Sequence, residues 1–302
     1  MKNKIIFSLS QNLKLVQEIS SLLSIPVGDI KKDYFQDGEV LVKTNSDVEN
    51  KDVILVESTS KKAQDKMFEL MLLLDSLKRS KARSIQVFIP YFGYSRQERS
   101  YFGEPVSCEV VAKILQTADY DELLIMDEHH PVIESFFNKP FKNIMTTELF
   151  KEYYLSYIAK HHLDIKNVVV VAPDHGSNIR VDALVKELGA TKIILDKVRP
   201  EPNVAEHLSV GNQDIRNKVC IILDDIIDTG GTIVSATKLL YDNGAKEVLV
   251  GATHAVFSSD CVNKLFDANI KDVAVTNTIE HENLDPRVHV LDICPLIIKH
   301  IK

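Results

Sequence analysis

The segment with the densest chemical content is Asp224-Asp225-Ile226-Ile227-Asp228-Thr229-Gly230-Gly231-Thr232, which follows the apolar run 219–223. Its residue types suit a phosphorylated sugar. Successive backbone N–H groups at the start of a helix, with glycines removing Cβ obstruction, make an anion cradle. Thr229 and Thr232 can add hydroxyl donors, and Asp228 opens the turn. Asp224 and Asp225 would repel a phosphate. They can instead accept hydrogen bonds from a vicinal diol, or hold a magnesium ion. The bland alternative is a tight strand-to-helix turn whose acids only cap the helix. A lone Thr-Gly-Gly would leave that alternative ahead; the full string is far more specific.

Other segments carry charge that such a ligand would need. Pro173-Asp-His-Gly-Ser-Asn-Ile-Arg180 follows a candidate strand, and Asp174 suits magnesium, which takes carboxylate oxygens together with substrate phosphates. Pro90-Tyr-Phe-Gly-Tyr-Ser-Arg-Gln-Glu-Arg99 also follows a strand. Arg96 offers a planar fork for phosphate oxygens, and the aromatics could line a base pocket; a solvated loop is the plainer reading. Met126-Asp-Glu-His-His130 brings acids and histidines together, without a distant His/Cys set at zinc spacing. Phe35-Gln-Asp-Gly-Glu39 holds an Asp-Gly turn signal between two candidate strands. Asp196-Lys-Val-Arg199 runs into Pro200-Glu-Pro202, which predicts a mobile loop. Lys197 and Arg199 on such a loop could close over a polyphosphate, although a Lys-x-Arg pair alone says almost nothing.

These groups need a frame that presents them at strand ends. Apolar runs over 4–9, 53–56, 85–89 and 122–126 predict strands, separated by helical periodicity over 12–23, 61–80 and 107–116. The second half repeats the rhythm. Helices are predicted over 147–161, 177–188, 231–243 and near 258–266; strands over 167–172, 192–195, 219–223, 247–252, 272–275 and 287–290. Buried β-branched runs alternating with single helices imply parallel sheets with helices on both faces. Ligands of such sheets bind at the carboxyl ends of the strands, where the segments above fall. A domain boundary is expected near 139–146, giving domains 1–145 and 146–302, with no residue-level repeat between them.

The 302 residues are 45% hydrophobic and 26% charged, an ordinary globular balance. A net charge of −7 argues against a general nucleic-acid binder. Cys108, Cys220, Cys261 and Cys294 form no CxxC pair and read as reduced thiols. Neither a signal peptide nor a run of about 18 apolar residues is present, so a cytoplasmic location without membrane contact is expected.

The 219–232 segment resembles the ribose-phosphate loop shared by type I phosphoribosyltransferases and ribose-phosphate pyrophosphokinases. The remaining motifs favour the pyrophosphokinases: Phe35–Glu39 resembles their Phe-x-Asp-Gly-Glu, and 90–107 resembles their Tyr-Gly-Tyr-x-Arg-Gln block and the Gly-Glu-Pro-Ile-Ser after it. The resemblance covers nearly the whole chain. It implies an α/β fold of two phosphoribosyltransferase-like domains, each a mainly parallel sheet flanked by helices, with the nucleotide on the side of domain 1–145. It implies ATP and ribose 5-phosphate as substrates and transfer of pyrophosphate to the sugar's C1 hydroxyl.

By the same resemblance Phe35, Asp37, Gly38, Glu39, Arg96, Gln97 and Arg99 are nucleotide ligands. Asp224, Asp225, Asp228, Thr229, Gly230, Gly231 and Thr232, with Arg199, would bind ribose 5-phosphate. Lys197 and Arg199 are the implied catalytic pair, and His129 and Asp174 the implied magnesium ligands. Self-association, as a homodimer or larger ring with the nucleotide site shared between subunits, is implied too. Ser177 departs from the family's usual Pro-Asp-x-Gly-Gly-x-x-Arg, where the second glycine belongs. That departure keeps a non-catalytic regulatory homologue in view beside the enzyme. A phosphoribosyltransferase is a further alternative, which the Arg96-Gln97 block speaks against. Thr253-His-Ala-Val-Phe-Ser258 also resembles a family segment, with a packing role expected for His254.

Overall fold

The computed structural model describes residues 3–198, 207–211 and 213–302, with only the backbone of 196–198, 207 and 208. The chain forms two compact units. Unit 1 comprises Met1–Ile144, Thr278–Glu280 and Ile293–Lys302; unit 2 comprises Met145–Asn277 and His281–Asp292. The final segment therefore belongs with unit 1, which a single cut near residue 145 does not capture.

Unit 1 is built on β1 (Lys4–Phe7), an antiparallel hairpin of β2 (Ile30–Tyr34) and β3 (Val40–Thr44), and then β4 (Asp52–Val56), β5 (Ser84–Ile89), β6 (Glu122–Met126) and β7 (Phe141–Ile144). The main sheet is parallel, in the order β1-β4-β5-β6-β7. Its helices are α1 (Leu13–Leu23), α2 (Ala63–Arg79) and α3 (Ser107–Leu115). Leu70, Leu73, Leu74 and Leu77 of α2 and Cys108, Ala112 and Leu115 of α3 share a core with Ile5, Leu55, Val87 and Ile125 of the strands. Their strand neighbours Ile6, Ile54, Phe88 and Leu124 are buried as well. Both faces of the sheet are thus covered, as a parallel sheet requires.

The turn from β1 into α1 shows how a helix start is satisfied from inside. Amides of Leu9, Ser10 and Gln11 donate to the Glu57 carboxylate at 2.8, 3.1 and 3.2 Å, and the Ser8 hydroxyl donates at 2.9 Å. Glu57 has no exposed surface, and burial pushes its carboxyl above the usual range against the pull of these donors.

Unit 2 contains α4 (Thr147–Lys160), β8 (Val168–Ala172), α5 (Asn178–Leu188), β9 (Thr191–Ile194), β10 (Asp196–Val198), β11 (His207–Ser209), β12 (Val219–Ile227), α6 (Gly231–Asp242), β13 (Glu247–Ala255), α7 (Cys261–Asp267), β14 (Asp272–Thr276) and β15 (Val288–Leu291). Its six-stranded sheet is parallel, in the order β15-β14-β13-β12-β8-β9. Alternation along the strands feeds two cores. Val169, Val171, Cys220 and Ile222 meet Ile233, Ala236 and Leu240 of α6 and Leu265 of α7. Val168, Val170, Ile221 and Leu223 meet Phe150 and Tyr154 of α4 and Val181 and Leu184 of α5. The architecture is α/β, with each unit a parallel sheet flanked by helices.

One expectation is corrected in this unit. Asp196–Val198 is not a loop: β10 pairs antiparallel with β11 in a separate ribbon, with Lys197 opposite Leu208. The last helix, α8 (Cys294–Ile298), lies in unit 1 beside α1. No helix among the described residues is long and apolar enough to cross a membrane.

Candidate active site

Strand β12 is nine residues long because its pairing with β13 outlasts its pairing with β8. Pairs with β8 stop at Ile222, whereas pairs with β13 continue through Asp224 and Ile226 to Ile227. Asp224 and Asp225 therefore lie inside the strand, yet beyond the point where β8 has ended. The chain then turns at 228–230 into α6. Gly230 has φ +79°, which favours glycine, and a Cβ there would press on Cys261 Sγ at 3.0 Å. At Gly231 the nearest protein atom to a Cβ would be Thr229 Oγ1, at 3.8 Å, so that side is open. The base of the turn is tied to the segment after β13. Val256 and Phe257 amides donate to Ile227 O at 3.0 and 3.1 Å, and Ser258 N to Asp228 O at 3.0 Å.

Among the described residues, the amides of Thr229, Gly230, Gly231 and Thr232 donate no hydrogen bond. Thr229, Gly231 and Thr232 are exposed. Unit 1 fills the corresponding amides with Glu57; here no protein carboxylate does so. Four N–H groups at the positive end of a helix are left without a protein acceptor, and three of their four residues face solvent where an anion could reach them.

A compact polar cluster stands beside the turn. Ser177 Oγ lies 2.7 Å from Asp224 Oδ1 and 3.1 Å from Asp174 Oδ1. The Ser177 amide donates to Asp174 Oδ1 at 3.0 Å, and the Asp225 amide to Asp224 Oδ1 at 2.9 Å. Arg180 Nη1 is 3.4 Å from Asp225 Oδ1, both side chains being almost wholly buried. Burial, then the Asp225 charge, raises the Asp224 carboxyl above its ordinary range, while the Ser177 hydroxyl and Arg180 act the other way. Two adjoining carboxylates at a strand end, one of them paired to a buried guanidinium, can accept a diol's hydroxyls. The Asp174 oxygens are hard donors suited to magnesium.

A family model described as the N-terminal domain of ribose phosphate pyrophosphokinase matches residues 4–118. A second, described as the phosphoribosyl synthetase-associated domain, matches residues 194–302. The ribose-phosphate pyrophosphokinase of Bacillus cereus is 37% identical over 297 residues, which cover 97% of this chain and 91% of that protein. That of Campylobacter jejuni is 36% identical and covers 100% of this chain and 96% of its own. The chain belongs to the ribose-phosphate pyrophosphokinase family. A crystal structure of phosphoribosylpyrophosphate synthetase from Mycobacterium smegmatis is 29% identical and superposes with a TM-score of 0.89 over 99% of this chain and 97% of that one.

The residues that resemble the pyrophosphokinase nucleotide motifs all lie in unit 1. Phe35–Glu39 forms the tip of the β2-β3 hairpin: Phe35 N donates to Glu39 O at 2.8 Å, Gly38 N to Phe35 O at 3.0 Å and Glu39 N to Asp37 Oδ1 at 3.1 Å. Gly38 takes φ +93°, and Phe35, Asp37 and Glu39 are exposed. The hairpin is anchored to α2 by buried Glu69, which meets Lys32 at 2.7 Å and the Tyr34 hydroxyl at 3.3 Å.

Arg96, Gln97 and Arg99 are exposed on the loop after β5. Gln97 N donates to Tyr94 O at 2.9 Å, and Arg99 pairs with Glu98 at 3.1 Å. Gly93 lets this loop press on its neighbour: its amide donates to Thr59 Oγ1 at 2.7 Å, and a Cβ would sit 2.5 Å from Thr59 O. His129 is half-buried just after β6, beyond Asp127 at φ +38°. His130 turns away to cap the next 3-10 turn, its Nδ1 accepting from Val132 N at 3.1 Å. His254 is buried in β13.

Lys197 lies on β10, while Arg199 lies outside the described residues. The structure thus gathers Asp174, Asp224 and Asp225 in one cluster of unit 2. It adds Arg180, to which the sequence motifs assign no role. Arg180 shares the buried face of α5 with Val181, Leu184 and Leu188, and an arginine on an apolar stripe signals a buried anionic partner.

Proposed function

We propose that this protein is a ribose-phosphate pyrophosphokinase, transferring the pyrophosphoryl group of ATP to the C1 hydroxyl of ribose 5-phosphate and releasing AMP. The observation that carries the reading is the β12–α6 turn, with four unfilled amides directly beyond two carboxylates, in a chain of this family. The 5′-phosphate takes the amides of Thr229 to Thr232 and the threonine hydroxyls; Asp224 and Asp225 accept the ribose hydroxyls and orient C1. Phe35, Asp37, Gly38, Glu39, Arg96, Gln97 and Arg99 serve the nucleotide. The hairpin tip is exposed, which suits a role at the nucleotide site of a neighbouring subunit in a homo-oligomer.

Transfer of this kind asks the protein for alignment and charge neutralisation more than for covalent chemistry. Lys197 and Arg199 neutralise charge that grows on the transferred group. Asp174 is the fitting magnesium ligand by its oxygen donors; His129, with a nitrogen donor, is the weaker partner for so hard an ion. Bound magnesium would supply charge neutralisation on the phosphate oxygens.

The test is 31P NMR of purified protein with ATP, magnesium and ribose 5-phosphate. AMP and a C1-diphosphorylated sugar are expected, both dependent on the sugar. ADP with a singly transferred phosphate, or no sugar-dependent turnover, would contradict the assignment.

A further inference from the structure

Ser177 is 1% exposed, and its hydroxyl lies between two carboxylates that come from different strand ends. A hydroxyl has one proton to give. Asp174 Oδ1 already receives the Ser177 amide, and the Asp224 contact is the shorter at 2.7 Å, so the proton belongs to Asp224. Asp224 Oδ1 then holds two donors, the Ser177 hydroxyl from the β8–α5 turn and the Asp225 amide from its own strand. Both contacts favour the present orientation of the Asp224 carboxylate. The same serine fastens the Asp174 turn through its amide, so one residue ties together two carboxylates fifty positions apart in sequence.

We infer that Ser177 is a positioning residue for the sugar, holding the Asp224 carboxylate in the orientation that receives the ribose hydroxyls. This rests on the proposed function and assigns to the serine a task within it. A glycine at this position would leave Asp224 held only by its own strand. Selectivity for the sugar substrate follows: the hydroxyl's shorter contact is to Asp224, and the amide that fastens Asp174 survives in both variants below.

Ser177→Ala and Ser177→Gly remove the hydroxyl with and without the Cβ. Loss of a hydrogen bond to a charged group predicts a rise in KM for ribose 5-phosphate of about 10-fold or more in both variants. KM for ATP should stay within about twofold. Calorimetric titration of ribose 5-phosphate, with magnesium and a non-hydrolysable ATP analogue present, should give the same loss in Kd without any turnover. Unchanged sugar binding in either variant overturns the inference, as does an equal rise in both KM values. Tighter binding by Ser177→Gly also overturns it, since the serine would then be an obstruction. Wild-type protein that binds the sugar but releases no AMP would sink the activity and leave the binding comparison to decide on Ser177. Wild-type protein that does not bind the sugar would sink both.

Discussion

Lys197→Ala lowers turnover by about 10²–10³-fold, the usual cost of losing one transition-state charge contact, and moves ATP affinity far less. The asymmetry follows from the role proposed for the lysine. Negative charge builds on the transferred group as AMP departs, so an ammonium aimed there is worth more in the transition state than in the bound ground state. Lys197 sits in the middle of β10, which is hydrogen-bonded to β11 as a ribbon apart from the main sheet. Steady-state rates at saturating ATP and ribose 5-phosphate measure the effect. Near-normal turnover would remove Lys197 from the mechanism; a rise in KM for ATP alone would make it a binding group.

The second large effect is on stability. Arg180→Ala lowers the unfolding free energy by about 3–5 kcal/mol, because it strands the Asp225 carboxylate without its buried partner. Both side chains are almost fully removed from solvent, and the N–O separation is 3.4 Å. A unit of roughly 150 residues would show this as a fall in Tm on the order of 10 °C. Calorimetric melting reads it directly, and a shift of only one or two degrees would mean that water reaches Asp225 or that other groups carry its charge. The same pair explains why two adjoining acids can stand at a strand end at all. Asp225 is balanced from behind by Arg180, and the same guanidinium opposes the upward push that burial and the Asp225 charge exert on the Asp224 carboxyl.

Most of the sheet and helix order is legible in the apolar periodicity, and the exceptions have physical causes. The apolar run over 219–223 stops where the aspartates begin, because carboxylates are poor strand formers, yet pairing with β13 carries β12 on to Ile227. For the same reason β13 outruns its apolar stretch, through Thr253 and His254 to Ala255. Strand β7 escaped because Lys142 and Asn143 break its pattern, and α8 because five residues are too few for a helical period. The prolines at 200 and 202 suggested a loop for Asp196–Val198, although a proline constrains only itself and the residue before it.

At the site, residue types revealed Asp174, Asp224 and Asp225 as separate motifs. Their union could not be read, since it depends on β8 and β12 being neighbours in the sheet. Ser177 stood out only as a missing glycine, and its two carboxylate contacts exist only in three dimensions. Arg180 was legible in principle from its position on the buried stripe of α5.

The most direct test of the account is a crystal structure with ribose 5-phosphate bound. The 5′-phosphate should lie within hydrogen-bond distance of the amides of Thr229, Gly230, Gly231 and Thr232, with ribose hydroxyls on Asp224 and Asp225. A sugar phosphate bound elsewhere, with those amides closed off by protein atoms, would contradict it.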